Sequence, residues 1–200
     1  MKDNNLPTKP YKVILASSSK TRRGYIKKFI KDVQIIDHLI KEESIKDKIK
    51  DPCKLALTLA QRKAASVIHM FPEDMVIGSD QVLVCDQVIM SKPKNHIDAI
   101  KNLLFLRNKK HTLISSIFVF KSSKVFFKQI KKAQIFFKDI SKEEIENYVY
   151  KNENTVFSTV GSYKIEENNK HKFLDVVTGD TDVIIGFPMK DFMRKLYEDK

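Results

Sequence analysis

A chain of 200 residues, of which 42% are apolar, can bury a real core as one domain or as two small lobes. Its formal net charge is +12, from 37 lysines and arginines against 25 aspartates and glutamates. No run approaches the roughly 20 apolar residues that a membrane-spanning helix needs, so we expect no membrane span. The lysines are scattered along the chain, as on solvated faces, although a basic surface can also attract nucleic acid or phosphorylated small molecules.

Cysteine usage and the first residues indicate the compartment. Cys53 and Cys85 fit neither a zinc-ligand spacing nor a disulfide framework. A reducing compartment is the simplest interpretation, and we expect a cytoplasmic location. Residues 1–10 are polar and the apolar run Val13–Ala16 is too short for a signal peptide. We therefore predict an N-terminal extension over residues 1–10 and a single domain over residues 11–200.

The first predicted unit is a strand, a turn and a helix. Residues 11–16 are β-prone and apolar, which favours a strand. The serines at 17–19 are natural N-cap residues for a helix whose apolar positions include Ile26 and Ile30. A second strand is predicted at residues 33–40.

A long helix is predicted next, and one of its lysines is unusual. Asp51 can cap this helix and Pro52 suits its first position. Lys63 lies on the apolar side of the helix, between Leu59 and Val67. A lysine there must extend its ammonium group to solvent or find an anion.

The rest of the chain continues to alternate between strands and helices, which predicts a mixed α/β fold. In chain order, the predicted elements are strands at Met75–Ile77 and Val82–Cys85, a helix from Asn95 or His96 to about residues 107–110, paired strands at His111–Phe120 and Lys124–Phe137, a helix from the capping box at Ser141 through Tyr150, a strand at Val183–Ile185 and a closing helix at Pro188–Tyr197.

Asp80 stands alone between two strand-like runs. At a strand break, its carboxylate could point into a cleft, bind a divalent cation or accept a proton from water. It could equally be a turn aspartate that bonds to its own backbone. Lys92 is held in an extended backbone by Pro93, so it could reach a phosphate or be a solvated lysine.

Three further stretches could carry chemistry or be ordinary loops. Residues 15–23, LASSSKTRR, could cradle an anion with hydroxyl groups, backbone N–H groups and two arginines, or could be a serine cap followed by solvated arginines. Residues 160–167, VGSYKIEE, could line a pocket or form a loop. Residues 184–192, IIGFPMKDF, contain a Gly-x-Pro turn that carries no chemistry itself. The five histidines show no metal spacing.

The joint order of these motifs is more informative than any one of them. In chain order they are LASSSKTRR, QRKA, GSDQV, SKPK, HTLIS, VGSYKIE and IIGFP. This order resembles the Maf family of nucleoside triphosphate pyrophosphatases from about Val13 to Leu196. The glutamine of GSDQV, together with Glu166, resembles the branch associated with 7-methyl-GTP rather than the branch that acts on dTTP and UTP.

The resemblance implies a fold, a reaction and a site. The implied fold is an elongated mixed sheet with flanking helices and two lobes around a cleft, similar to the inosine triphosphate pyrophosphatases. The implied reaction hydrolyses a nucleoside triphosphate to its monophosphate and pyrophosphate with Mg²⁺ or Mn²⁺, often in a homodimer. The implied site residues are Asp80 as proton acceptor, Ser17, Arg22, Lys63 and Lys92 for the substrate, Glu42 with Asp80 for the metal, and Thr21, Gln81 and Glu166 for base preference.

Two alternatives remain open. The charge of +12 would also suit a nucleic-acid-binding or cell-division-regulating protein without catalysis, although we expect a nucleotide as the partner. A diverged homologue with weak activity is the other alternative. Lys20, Lys41 and Ser91 stand where the family usually has proline, an acidic residue and glycine.

Overall fold

The computed structural model describes residues 11–198. The predicted extension at residues 1–10 lies outside the described residues. The strands are β1 Val13–Ala16, β2 Val33–Ile36, β3 Met75–Cys85, β4 Val88–Met90, β5 Lys109–Lys121, β6 Lys124–Phe137 and β7 Leu174–Thr178. The α-helices are α1 Lys20–Ile26, α2 Glu43–Lys46, α3 Pro52–Ala65, α4 His96–Leu106, α5 Lys142–Lys151, α6 Glu153–Val156, α7 Asn168–His171, α8 Thr181–Ile185 and α9 Lys190–Glu198, with short 3-10 helices at Ile68–Met70 and Ile165–Glu167.

These strands form one mixed sheet in the order β2-β1-β3-β5-β6-β7, and β4 pairs with β3 outside this path. β1 is parallel to β2 and β3, whereas the pairs that β3, β5 and β6 make with later strands are antiparallel. The predicted mixed α/β fold is confirmed. Among the described residues, we find no helix with the length and apolar character needed to cross a membrane.

The core is divided between the two ends of the long strands. At one end, Met75 and Ile77 of β3 pack with side chains from β1, α1 and α9. At the other end, Leu83 and Cys85 pack with side chains from α4, α5 and β6. This division produces the predicted two lobes, with the middle of β3 passing between them.

The predicted strand break at Asp80 is wrong. β3 runs without interruption, and Gly78, Ser79 and Asp80 all pair with residues of β5. Glycine, serine and aspartate favour turns, but here the absence of a side chain at Gly78 allows close packing and the hydroxyl group of Ser79 makes a hydrogen bond. Ser79 Oγ, for example, donates to the carbonyl oxygen of Ser116 at 2.7 Å. Asp80 therefore projects from the interior of a strand, which holds it more firmly than a turn would.

Gly78 allows α3 to pack directly on β3. A Cβ atom at this position would lie 2.0 Å from the carbonyl oxygen of Ala60 and 2.8 Å from the amide nitrogen of Ala64. Ala56, Ala60 and Ala64 are fully buried in the same helix. This close approach also brings Lys63 of α3 beside β3.

Several predicted elements need correction. Val183–Ile185 is not a strand but the end of α8, which stops at Gly186 in a left-handed conformation. The predicted strand at residues 33–40 ends at Ile36, after which the chain leaves the sheet. β4 and β7 are absent from the prediction because β4 has three residues and most of β7 is exposed, so neither shows an apolar pattern.

Most of the other boundaries are confirmed. α3 begins at Pro52 with Asp51 as its N-cap. α5 begins after Ser141, whose side chain and that of Glu144 form the predicted capping box. β5 and β6 form the predicted long hairpin.

Candidate active site

A cleft of about 770 Å³ opens between the two lobes. One wall comes from the segment after β1, from α3 and from β3, and the opposite wall from residues 154–164. Eight of the nine predicted site residues line this cleft: Ser17, Thr21, Arg22, Glu42, Lys63, Asp80, Gln81 and Lys92. Glu166 is exposed and does not line it. Its proposed role in base preference stays a prediction.

Lys63 lies at the centre of this cluster. Its Nζ atom is 2.5 Å from Asp80 Oδ1 and 2.7 Å from Glu42 Oε1. Lys63 is 4% exposed and Asp80 is 6% exposed. A buried lysine requires an anion, and this one has two. These contacts explain why a lysine stands on the apolar side of α3.

Glu42 is surrounded by donors. Lys46 Nζ lies 2.9 Å from Glu42 Oε2, and His38 Nε2 lies 3.5 Å from Glu42 Oε1. Burial alone would raise the pKa of Glu42, but the contacts with His38, Lys63 and Lys46 lower it well below its usual value. The carboxylate is therefore held in its charged form. Burial would also lower the pKa of Lys46, yet Glu42 raises it.

Arg22 is oriented by backbone carbonyl groups. Its Nε donates to the carbonyl oxygen of Gly186 at 2.9 Å, and its Nη1 donates to that of Ser79 at 3.0 Å. Burial lowers the pKa of Arg22, while the charges of Asp80 and Glu42 oppose this shift. Its remaining N–H groups have no hydrogen-bond acceptor among residues 11–198. They are available to an anion in the cleft.

The serine-rich turn caps α1. Ser19 is the N-cap residue, and its Oγ accepts from the amide of Arg22 at 3.4 Å. Ser17 is buried, and its Oγ accepts from the amide of Ser19 at 3.2 Å. Arg23 donates to the Ser17 carbonyl and pairs with Asp37. Of the two arginines in this motif, Arg23 thus fixes the turn, and Arg22 lines the cleft.

The side chain of Gln81 makes hydrogen bonds to β5 and α8. Its Nε2 lies within hydrogen-bond distance of Ser115 Oγ at 3.0 Å and of the carbonyl oxygens of Val183 at 3.1 Å and Ile184 at 3.0 Å. These acceptors lie on β5 and α8. The glutamine therefore connects the wall of the cleft to the C-terminal part of the chain.

Lys92 lies at the edge of the cleft on the segment after β4. Desolvation lowers its pKa, and the positive charge of Arg22 lowers it further. Within the described range we find no ion pair that involves Lys92. A polyanionic ligand in the cleft would offset the charge of Arg22 and favour the protonated form of Lys92.

Comparison with known proteins places the chain in a family. The family model described as Maf-like protein matches residues 12–198. The chain belongs to the Maf family. This result confirms the resemblance drawn from the sequence motifs, and the match extends over both lobes of this Maf protein.

Several curated relatives are similar over almost their whole length. A nucleoside triphosphate pyrophosphatase of Ruegeria sp. is 30% identical over 188 residues, which cover 92% of this Maf chain and 94% of the relative. A protein named 7-methyl-GTP pyrophosphatase in Bartonella henselae is 32% identical over 189 residues, with 92% and 93% coverage. A nucleoside triphosphate pyrophosphatase of Legionella pneumophila is 31% identical over 186 residues, with 92% coverage of both chains.

The carboxylates of the Maf cleft fit a hard divalent cation. Asp80 Oδ2 has no hydrogen-bond partner in the described part of the chain, and it belongs to a residue that lines the cleft. Mg²⁺ is usually held by one or two carboxylates together with substrate phosphates. Residues 11–198 contain no group of three side chains that could hold a metal by themselves. Asp80 Oδ2 can thus meet a cation that arrives with its phosphate ligand, whereas both oxygens of Glu42 already contact basic side chains.

Three contributors to this site were not predicted from the sequence. Lys46 stands four residues after Glu42, and that helical spacing could have predicted their ion pair. Ser79 and Gly186 orient Arg22 through carbonyl groups. Backbone contacts of this kind leave no signal in a pattern of side chains.

Proposed function

We propose that this Maf protein hydrolyses nucleoside triphosphates to nucleoside monophosphates and pyrophosphate. The observation that carries the proposal is the convergence of Lys63, Arg22 and Lys92 with the carboxylate of Asp80 in one cleft. The names of three relatives with about 30% identity, all pyrophosphatases that act on nucleotides, support the same reaction. The excess of cations suits a polyphosphate chain.

The proposed chemistry begins with water at the α-phosphorus. Asp80 accepts a proton from that water, and the oxygen of the water forms a bond to the α-phosphorus. The bond from the α-phosphorus to the oxygen that bridges it to the β-phosphorus breaks, and its electron pair leaves with pyrophosphate. Arg22 and Lys92 offset the charge that grows on the leaving group. Lys63 orients Asp80 and lies beside the same charge.

Glu42 and Asp80 are the residues that would hold Mg²⁺ or Mn²⁺. Such a cation, when bound, polarises phosphate oxygens. The chain itself contributes the charged form of Glu42, which its three neighbours maintain. Lys46 and Lys63 limit the negative charge that the two carboxylates would otherwise accumulate.

The base preference is proposed to depend on Thr21, Gln81 and Glu166, with a modified guanine nucleotide such as 7-methyl-GTP as the substrate. The name of the Bartonella henselae relative supports this choice. Thr21 and Gln81 line the cleft, and Glu166 follows Lys164, another lining residue. We also propose a cytoplasmic location and a homodimer.

A nucleotide screen tests the proposed function. The purified protein is incubated with Mg²⁺ or Mn²⁺ and with 7-methyl-GTP, GTP, dTTP, UTP or CTP, and both pyrophosphate and orthophosphate are measured. The proposal expects pyrophosphate and a monophosphate in equal amounts from at least one nucleotide. Salt-dependent binding to nucleic acid without any pyrophosphate release would favour the non-catalytic alternative.

A further inference from the structure

We propose that the turn at Gly186 is a positioning element that fixes both Arg22 and Gln81. Through these side chains it sets the affinity of the cleft for a phosphate chain and its preference among bases. The inference rests on the proposed function for its ligand. It gives a role to the IIGFP motif, whose Gly-x-Pro turn has no chemistry of its own.

The carbonyl group of Gly186 holds the guanidinium group of Arg22. The Gly186 oxygen accepts from Arg22 Nε at 2.9 Å and from Ser79 Oγ at 3.0 Å. A second bond joins Arg22 Nη1 to the carbonyl oxygen of Ser79 at 3.0 Å. Because guanidinium is planar, two fixed donors also fix the direction of the remaining N–H groups. The direction of the Gly186 carbonyl, together with that of Ser79, therefore determines how Arg22 meets an anion.

Gly186 also lies against Gln81. A Cβ atom at position 186 would lie 3.1 Å from both Cδ and Oε1 of Gln81 and 3.3 Å from its Cβ. The Gln81 amide is bound to the carbonyl oxygens of Val183 and Ile184, in the helix that this turn ends. A side chain at position 186 would displace the end of Gln81, which lines the cleft.

These two effects have different physical origins and can be separated. Gly186 has a φ of 90°, in the left-handed region that favours glycine. Alanine would strain this backbone and turn the carbonyl group away from Arg22. Asparagine tolerates left-handed conformations better than alanine, so it should keep the carbonyl in place while its Cβ still meets Gln81. Alanine thus tests both effects, whereas asparagine tests the contact with Gln81 alone.

Gly179 provides a matched control. It is the other described glycine with positive φ, at 102°, and a Cβ there would lie 2.5 Å from Ala133 Cβ. Substitution of Gly179 introduces similar backbone strain and tighter crowding, at 2.5 Å rather than the 3.1 Å found at Gly186, and the nearest atoms belong to Ala133 and Lys132 rather than to Arg22 or Gln81. A purely structural role for Gly186 predicts the same consequences at both positions.

The experiment measures the binding of inorganic triphosphate by calorimetry and the ranking of nucleotides by pyrophosphate release. We expect Gly186→Ala to weaken triphosphate binding on the order of tenfold, the scale of one charged hydrogen bond. Gly186→Asn should bind triphosphate within about threefold of the wild type but change the order of preferred bases. Gly179→Ala should leave both properties unchanged, with folding checked by circular dichroism.

The proposal is overturned if Gly186→Ala binds triphosphate as the wild type does, or if Gly179→Ala loses as much affinity. An unchanged order of bases in Gly186→Asn also overturns it. If either alanine variant does not fold, Gly186→Asn and Gly179→Asn give the comparison, and only the first should change the base order. If the wild type releases no pyrophosphate, the proposed function fails, and triphosphate binding still decides the role of Gly186 toward Arg22.

Discussion

Lys63 Nζ lies 2.5 Å from Asp80 Oδ1, and both side chains are almost entirely buried. The ammonium group also contacts Glu42, so a single positive charge joins two carboxylates from distant parts of the chain. Burial makes such a cluster costly to disrupt, because removal of one member leaves the others desolvated and unpaired. This cluster makes Lys63 the most informative position for mutation.

Lys63→Gln should impair both stability and activity. We expect a loss of about 3 kcal/mol in the free energy of unfolding, because two carboxylates lose their shared partner. The value of kcat/KM should fall at least about 100-fold, as for loss of a charge-stabilising group. Urea unfolding and steady-state kinetics measure these quantities. Arg62→Gln, on the exposed side of the same helix, should leave both unchanged. Wild-type kinetics in Lys63→Gln would rule out a charge-stabilising role for Lys63 in the reaction.

Asp80→Asn should remove turnover and preserve binding. The amide cannot accept the proton from water, so kcat should fall about 1000-fold. Affinity for a non-hydrolysable triphosphate should remain or increase, because one negative charge leaves the cleft. Asp86→Asn is the control, since Asp86 is exposed just after β3 and its positive φ of 47° is tolerated by asparagine. Near-normal hydrolysis by Asp80→Asn would refute its assignment as the base.

Lys92→Ala should distinguish triphosphate from monophosphate binding. The lysine is proposed to contact the leaving phosphates, so its removal should weaken binding of a nucleoside triphosphate by about tenfold and hardly affect the monophosphate. Titration calorimetry with both nucleotides measures the difference. Lys94→Ala removes a nearby exposed lysine and should change neither affinity. Equal losses for the two nucleotides would exclude a specific contact with the leaving group.

Glu166→Gln tests the least supported member of the proposed base-preference group. Glu166 is exposed outside the cleft lining, but it lies two residues from Lys164, which lines the cleft. If Glu166 reads the base, the neutral variant should change the ratio of kcat/KM for 7-methyl-GTP to that for GTP by at least about threefold. Glu143→Gln, an exposed change on α5, is the control. An identical ratio removes Glu166 from the group.

His111 should make folding stability depend on pH. Burial lowers the pKa of His111 to about 4 from an ordinary value of 6.5. Its Nε2 lies 2.5 Å from the hydroxyl group of Tyr163. Between these pH values the unfolded chain binds a proton that the folded chain does not, so stability falls as the pH falls. The full loss is about 3 kcal/mol.

His111→Gln should flatten this dependence, and His69→Gln, at an exposed position, should not. Urea unfolding from pH 7 to pH 5 measures the slopes. The lowered pKa of Glu42 makes stability fall only below about pH 4.5, so the range above pH 5 leaves out its contribution. Burial also lowers the pKa of His171, and this contribution is the same in the wild type and in His111→Gln, so the difference between their slopes reports His111. Equal slopes in His111→Gln and the wild type would contradict the assignment.

The sequence predicted those features that depend on local patterns. Caps at Asp51 and Ser141 and the apolar side of α3 all appear where they were expected. Lys63 stood out because a lysine violates that apolar pattern, and its contacts with two carboxylates explain the violation. Long, regular elements with capping residues are determined locally, so their residue types were sufficient evidence.

The remaining features depend on contacts that no local window contains. Gly78 and Ser79 resemble a turn until α3 packs on the glycine and the serine bonds to β5. Val183–Ile185 is β-prone but forms the end of α8, where the carbonyl oxygens of Val183 and Ile184 accept hydrogen bonds from Gln81, and that of Val183 also from Ser115. Tertiary contacts override propensity at both positions. The same contacts build the cleft, so the errors fall near the candidate site.

The most direct test of the central claim locates the bond that breaks. The protein is incubated with the best nucleotide substrate in water enriched in the heavy oxygen isotope, and both products are analysed by mass spectrometry. Attack of water on the α-phosphorus predicts one heavy oxygen in the nucleoside monophosphate and none in pyrophosphate. Heavy oxygen in pyrophosphate, or in orthophosphate with a diphosphate as the second product, would contradict the account.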